Sequence, residues 1–439
     1  MTVKTLEGLA RKVRRRIRWH WKEHLFLPLR RYVFVPARRV FGRRIPIAMI
    51  TGTKGKTTTT RMLAHILTQA GHRVGFASTD GAVINGQYVN RKDCAGYPGA
   101  HTILSDRSVT AAVLETARGG LIRNGLYVDR CHVAALLNVG REQIGIDGID
   151  TLEQMAALKQ RVINAARDTV VLNADDTQCC ALIGHYPSSR VVLFSLSEDN
   201  PIVHDHIQKG GTAYFVHDFG QGAFIERRGS RSKVAVLSIA NLPSSCNGLF
   251  PQNIANAMAA AALADGLGVS METVKTALES FENSLEHSPG RFNFLRGYSQ
   301  TVIVDEACSV PACTPLMESL SRIIVGGRRV CVIHTPGNRP GWHYTELGEV
   351  LGPHFDHFVC FELERYRRGR AVGEISDLLK AGLMEAGVHA DHIDTAREFT
   401  DATRQLSRIV GRDDLVAILG LNVHEFLPVF RKEFAAHDC

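Results

Sequence analysis

From residue 45 onward, short apolar runs alternate with longer stretches in which apolar residues recur every three or four positions. The runs at 45–50, 74–77, 111–115, 133–139 and 169–173 are nearly continuous in Ala, Val, Ile and Leu, and most lead into polar residues. Continuity of this kind marks strands buried on both faces, as in a parallel sheet. Between them, 57–70 carries Met62, Leu63, Ile66 and Leu67 on one helical face, and 152–166 has the same period. Gly71 stands where the first helix needs a left-handed residue to close it. The alternation predicts a doubly wound, mostly parallel α/β sheet, an architecture that binds ligands at the carboxyl ends of its strands.

Residues 190–245 are richer in Gly and Ser, with β-like stretches and no legible motif, and a helix at 253–267 is closed by Gly268. A second strand–helix series then begins near Phe294, with strands at 301–304, 330–334, 358–361 and 415–419 and helices at 374–386 and 396–409. The expected organisation is a central sheet domain over 45–293 and a smaller Rossmann-like α/β domain over 294–439. The boundary is expected between Gly290 and Arg296.

Charge changes the picture only at the start of the chain. Residues 1–44 hold fourteen Lys/Arg against Glu7 and Glu23, so the net +8 of the whole leaves −4 for residues 45–439. The basic character belongs to an amphipathic arm, with Leu6, Leu9, Val13, Ile17 and Trp21 on one side. Such a helix packs its apolar stripe on the body or on another copy, or lies on an anionic membrane surface, or docks on nucleic acid or an acidic polymer. No nucleic-acid partner is expected for the chain as a whole. Hydrophobic content of 45% with 22% charged residues is ordinary for a globular chain. The ten cysteines lack paired zinc-ligand spacing and read as reduced, mostly buried thiols. No apolar run approaches the ~18–20 residues of a membrane span, and no signal-peptide core is visible. The expected location is the cytoplasm, with peripheral attachment to the inner membrane open through the arm.

One segment carries specific chemistry. Thr51-Gly52-Thr53-Lys54-Gly55-Lys56-Thr57-Thr58 follows a strand and opens a helix, the context of a phosphate-binding loop. Gly52 and Gly55 let the backbone turn tightly, and the helix N-terminus presents N–H groups and a positive dipole end to phosphate. Lys56 is placed to reach the outer phosphates and the Thr57 hydroxyl to ligate Mg²⁺. The first glycine lies three residues ahead of Gly55, whereas the common pattern has it five ahead, where this chain has Ile50.

That shortened loop resembles the Mur ligase superfamily, and the further match is to the C-terminal, Mur ligase-like half of cyanophycin synthetase. Ser78-Thr79-Asp80-Gly81, Asp93-Cys94-Ala95-Gly96 and Val113-Leu114-Glu115-Thr116-Ala117-Arg118-Gly119-Gly120 are similar to segments of that half. Arg368-Gly369-Arg370-Ala371, with Gly373-Glu374-Ile375, also resembles it. The likeness implies a P-loop-type central domain and roles for individual residues. Glu115 binds Mg²⁺, a role that also suits a strand-end carboxylate beside a phosphate loop, although a capping glutamate fits the same position. Lys159 matches a lysine carbamylated in several members, against the reading of a solvated helix lysine. Asn173, Asn253, Asn256, Arg291 (in Pro289-Gly290-Arg291-Phe292-Asn293) and Asp305 match positions near the nucleotide.

The resemblance implies an ATP- and Mg²⁺-dependent ligase. It would activate a substrate carboxylate as an acyl phosphate, to be attacked by an amino acid amine, with a peptide or polymer carboxylate as acceptor. Closure about 290–296 would keep water out. Residues 1–44 are too short for the UDP-sugar-binding domain of the muramyl ligases or the ATP-grasp half of cyanophycin synthetase, so the acceptor is expected on the two remaining domains or on a partner.

Three departures keep other classes open. Family His and Asp positions read Gln143 and Glu142, where the Gln143 carbonyl oxygen would still ligate Mg²⁺; Asp-Tyr-Ala-His reads Asp305-Glu306-Ala307-Cys308; and Gly-Asp-Arg reads Gly337-Asn338-Arg339. A nucleotide-binding scaffold without ligase chemistry, or an ATPase or kinase with a basic docking arm, also fits these residues.

Overall fold

The structure, a computed structural model, describes residues 45–142, 144–218 and 222–434. The basic arm and Gln143 lie outside the described residues. The chain divides between Phe281 and Glu282 into two compact units.

The first unit runs through β1 (Ile47–Thr51), α1 (Lys56–Gln69), β2 (Val74–Ser78), β3 (Gly81–Ile84), β4 (Gln87–Asn90), α2 (Tyr97–Ser105), β5 (Ala111–Glu115) and α3 (Arg118–Asn124). It continues with β6 (Cys131–Leu136), α4 (Leu152–Ile163), β7 (Ala166–Asn173), α5 (Thr177–Cys180), β8 (Val191–Ser195) and α6 (Pro201–Gln208). The strands β9 (Thr212–Asp218), β10 (Ala223–Gly229) and β11 (Ser232–Ser238), with α7 (Pro251–Gly266) and α8 (Met271–Glu279), complete it. One sheet holds all eleven strands in the order β11-β10-β9-β8-β7-β6-β1-β5-β2-β3-β4. The seven from β9 to β2 run parallel and both edges are antiparallel hairpins.

The apolar runs become the middle of this sheet because each strand there is covered on both faces. Ile50, Val113, Ala135 and Val171 pack with Leu63, Ile66 and Leu67 of α1 and with α7 on one side. Met49, Leu114, Leu136 and Val170 pack with Met155, Leu158 and Val162 of α4 on the other. Residues Ala257–Ala264 of α7 are all buried, so the small side chains let this helix sit close against α1 and the sheet. Gly71 has φ 87° and its amide returns to the Thr68 carbonyl, closing α1 as expected. The stretch without a legible motif holds β8 and the β9–β10–β11 meander. Its last strand alternates poorly because it is an edge strand, with Ser232 and Lys233 in solvent.

The second unit has β12 (Asn293–Leu295), β13 (Thr301–Asp305), α9 (Val310–Leu320), β14 (Arg329–Ile333), α10 (Trp342–Leu351) and β15 (His357–Phe361). Then follow α11 (Glu374–Glu385), β16 (Ile393–Ala396), α12 (Phe399–Ile409), β17 (Leu415–Leu419) and α13 (Val423–Phe434). The sheet order is β12-β13-β17-β14-β15-β16, parallel except for β12 at the edge. Helices α12 and α13 cover one face through Phe399, Leu406, Phe426 and Phe430. At the start of β12, Asn293 Nδ2 donates to the carbonyls of Asn283 and Ser288, tying the segment before the strand to it. Nine cysteines are free thiols in the described residues, six of them buried. No helix of the described residues is long and apolar enough to cross a membrane.

Candidate functional site

The phosphate loop leaves the end of β1, an interior strand of the first sheet between β6 and β5, and turns into α1 through Gly55, at φ 80°. Gly55, at the N-cap of α1, has no side chain with which to cap the first-turn N–H groups. A Cβ on Gly55 would lie 2.3 Å from Asn256 Oδ1, and one on Gly52 would lie 3.1 Å from Leu137 Cβ. Gly55→Ala therefore combines about 1–3 kcal/mol of left-handed strain with a clash. The expected result is nucleotide binding weakened by more than about 10-fold, read by titration with a fluorescent ATP analogue.

The loop is held from β6. Asn138 Oδ1 accepts from the N–H groups of Thr53 (2.9 Å) and Lys54 (2.8 Å), and Gly140 N–H donates to Thr53 Oγ1 (2.8 Å). Lys54 Nζ pairs with Glu142 at 2.8 Å. The Thr53 and Lys54 amides thus shape the loop. Lys56 Nζ donates to the Thr53 carbonyl at 2.9 Å, arched over the loop.

Glu115, the last residue of β5, is 1% exposed. It accepts from the Thr57 hydroxyl (Oε2, 2.8 Å), the Thr79 hydroxyl (Oε1, 2.9 Å) and the Thr79 N–H (Oε2, 3.2 Å). Strand-end placement follows from the register, in which Glu115 stands beside Ile50 of β1. Lys159, on the buried face of α4, is 2% exposed and donates to the Gly52 carbonyl at 2.8 Å. Burial and then the nearby Lys56 ammonium bring its pKa down to about 7. It is not a solvated helix lysine.

The sign of its effect on stability is fixed by that direction. The unfolded chain holds the proton up to the ordinary value of 10.5, while the native lysine sheds it near 7. In the window from about 7 to 10.5 the unfolded state binds more protons, so stability rises with pH. The Lys159→Met variant is expected to lose this slope, which is at most about 1.4 kcal/mol per pH unit, in denaturant unfolding followed across the window.

Asn256 and Asn253 begin α7 beneath the loop. Asn256 Oδ1 accepts from Thr59 (3.2 Å), its Nδ2 donates to Asn253 Oδ1 (3.3 Å), and Asn253 Nδ2 donates to the Ser244 carbonyl (2.8 Å). Asn173 ends β7, donating to the Leu137 carbonyl at 3.0 Å. Thr58 is buried in α1. The structure therefore gathers Gly52 to Thr58, Glu115, Lys159, Asn253 and Asn256 at or around one loop, with Asn173 at a neighbouring strand end. Thr79, Asn138 and Glu142 belong to this arrangement and were not singled out in the sequence as site residues. Thr79 stood in the motif with Asp80 and Glu142 at a departure from the family pattern, but nothing local says that Thr79 and Glu115 meet.

In the second unit, Asp305 ends β13 and accepts from the N–H groups of Phe292 (2.9 Å) and Ala307 (2.7 Å). Arg291 pairs with Glu306 at 2.8 Å. These contacts order the entry to that unit.

A strand, an uncapped glycine turn and a helix, with a lysine in the turn and a hydroxyl–carboxylate pair beside it, define the class of phosphate-loop α/β proteins. The family is narrower. Residues 50–264 match the model of the Mur ligase middle domain, and with its relatives below the chain belongs to the Mur ligase superfamily. It is 37% identical to the cyanophycin synthetase of Synechocystis sp. over 78% of this chain and 38% of that protein. It is 35% identical to that of Geminocystis herdmanii over 89% of this chain and 44% of that protein. The chain thus spans less than half the length of these curated relatives. Its fold is that of E. coli FolC solved with DHPP and ADP, at TM-score 0.60 and 19% identity, covering 91% of this chain and 92% of that one. A bifunctional folylpolyglutamate synthase/dihydrofolate synthase with Mn, AMPPNP and L-glutamate bound matches at TM-score 0.63 and 19% identity, over 90% and 92% of the two chains.

Proposed function

We propose that this chain is an ATP-dependent, ADP-forming carboxylate–amine ligase, joining an amino acid amine to a peptide or polymer carboxylate. The observation that carries the reading is the buried Thr57–Glu115 pair at the mouth of an uncapped phosphate loop. Its likeness to cyanophycin synthetases over most of the chain supports the same reaction class.

A hydroxyl and a carboxylate oxygen 2.8 Å apart suit a hard divalent cation that also takes phosphate and water oxygens. Thr57 and Glu115 would hold Mg²⁺, with the Gln143 carbonyl as a further ligand; the ion, when bound, would neutralise charge on the outer phosphates. The chain's own groups do the rest. The α1 N-terminus and Lys56 bind and orient the phosphates, and Lys56 stabilises charge on the phosphoryl group as it passes to the acceptor carboxylate. Lys159, whose pKa burial brings down to about 7, sits behind the loop at Gly52, where a free or carbamylated side chain would help place the activated carboxylate or a second metal ion. Asn173, Asn253, Asn256, Arg291 and Asp305 are assigned to the nucleotide on family likeness. Displacement of phosphate by the amine leaves the amide. The two compact units correspond in this reading to the central and C-terminal domains of the superfamily, and the reaction is placed in the cytoplasm, where ATP is supplied.

The test is phosphate release by the full chain with ATP and Mg²⁺, screened over amino acids paired with acidic peptide acceptors. Release that requires both an amine and a carboxylate, with the amide product seen by mass spectrometry, is expected. Nucleotide binding with release indifferent to any amine would overturn the proposal.

A further inference from the structure

Arg61 lies one turn beyond Thr57 on α1, so the two side chains leave the same helix face. It is 6% exposed, and a buried guanidinium is costly unless partnered. Its Nε donates to Asp80 Oδ2 at 3.1 Å and its Nη2 to the Tyr88 hydroxyl at 2.5 Å, and the guanidinium stands 5.3 Å from the Phe76 ring centre. Each of these partners comes from the segment β2–β3–β4. Asp80, itself 5% exposed, directly follows Thr79, which gives both its N–H and its hydroxyl to Glu115. The contacts close a ring: Thr57 to Glu115, Glu115 to Thr79, along the chain to Asp80, across to Arg61, and back to Thr57 through one helical turn.

We propose that Arg61 is a positioning residue for the Thr57–Glu115 pair, acting through Asp80 and Thr79; this rests on the reading of that pair as a cation site. Isolated buried ion pairs contribute little net stability relative to apolar packing, so stability alone does not account for an arginine here. Orientation does. Glu115 carries three acceptor contacts, two of them from Thr79, and Thr79 is fixed only as well as the turn that bears it. Arg61 pins that turn to the same helix that carries Thr57, so the distance between the hydroxyl and the carboxylate is set by one rigid element. Outer partners of this kind typically alter metal affinity by ~10–100-fold when removed.

The experiment measures Mn²⁺ binding to the full chain with AMPPNP, from the electron paramagnetic resonance of free Mn²⁺, and AMPPNP binding without metal. Asp80→Asn and Arg61→Met are expected to raise half-saturating Mn²⁺ by roughly 10-fold or more, and Arg61→Lys by less, while metal-free AMPPNP affinity stays within about 2-fold. Unchanged Mn²⁺ dependence in folded Arg61 variants, or an equal loss of metal-free affinity, overturns the proposal. Should Asp80→Asn fail to fold, Tyr88→Phe and Arg61→Lys carry the same comparison. Glu115→Gln separates the two levels: if it leaves Mn²⁺ dependence intact, the cation reading itself falls, whereas loss there with normal Arg61 variants sinks only the positioning role.

Discussion

Replacing Lys56 by alanine lowers substrate-dependent phosphate release by on the order of 10²–10³-fold and leaves the unfolding temperature nearly unchanged. The two halves of this expectation have separate causes. The Lys56 ammonium sits at the loop, donating to the Thr53 carbonyl, and it is the cation that the proposed reaction assigns to the outer phosphates. Charge develops on those phosphates in transfer, so a preorganised ammonium is worth more in the transition state than in the ground state. Stability is spared because the loop is braced independently, by Asn138 on the Thr53 and Lys54 amides and by Thr59 on Asn256. A linked effect follows for Lys159. Its depressed pKa owes most to burial and next to the Lys56 charge, so Lys56→Ala raises it. Phosphate release, calorimetric unfolding and the pH dependence of stability check the three parts. A loss of activity accompanied by a collapse in unfolding temperature would mean that Lys56 is structural.

Glu115→Gln is the second large change. The side chain keeps its volume, but one carboxylate oxygen becomes an NH₂ group facing donors. In the wild type Oε2 receives both the Thr57 hydroxyl and the Thr79 N–H, and Oε1 receives the Thr79 hydroxyl. With the NH₂ on the Oε2 side it meets the Thr79 N–H; on the Oε1 side the Thr79 hydroxyl must turn to accept, and its own proton loses its acceptor in a site 1% exposed. The expected cost is about 1–3 kcal/mol of stability from the mismatched buried group. Activity falls further than stability, by roughly 10²-fold or more, because the charge that would hold Mg²⁺ is gone. Denaturant unfolding and Mg²⁺-dependent turnover measure the two separately. Activity that persists at wild-type Mg²⁺ concentrations would place the cation elsewhere.

Much of this site is legible in the residues because its chemistry is local. Gly52, Gly55, Lys56 and Thr57 act through one turn and the helix that follows, and the requirements of that turn are written in consecutive positions. Glu115 is readable for a related reason: an acidic residue ending an unbroken apolar run must stand at the rim of a buried sheet. Lys159 is different. On its helix it reads equally as a solvated lysine, and only the packing of α4 against β1 shows it buried against the Gly52 carbonyl. Thr79 is harder still, being an ordinary polar residue in a tight turn until β2 is laid beside β5. The meander β9–β10–β11 was legible only as β-like stretches because edge strands are half wet, which blurs the alternation that marks a strand.

The parallel α/β architecture, the phosphate loop and the strand-end glutamate are therefore readable from the order of residues alone. Each depends on a period or a motif spanning fewer than about twenty residues. The tertiary structure alone decided that Asn138 braces the loop, that Thr79 and Thr57 share one carboxylate, and that Arg61 closes the ring behind them through Asp80. Those contacts join residues 19 to 85 positions apart. Their pairing is set by strand order and register, which no local pattern of hydrophobic and polar residues encodes.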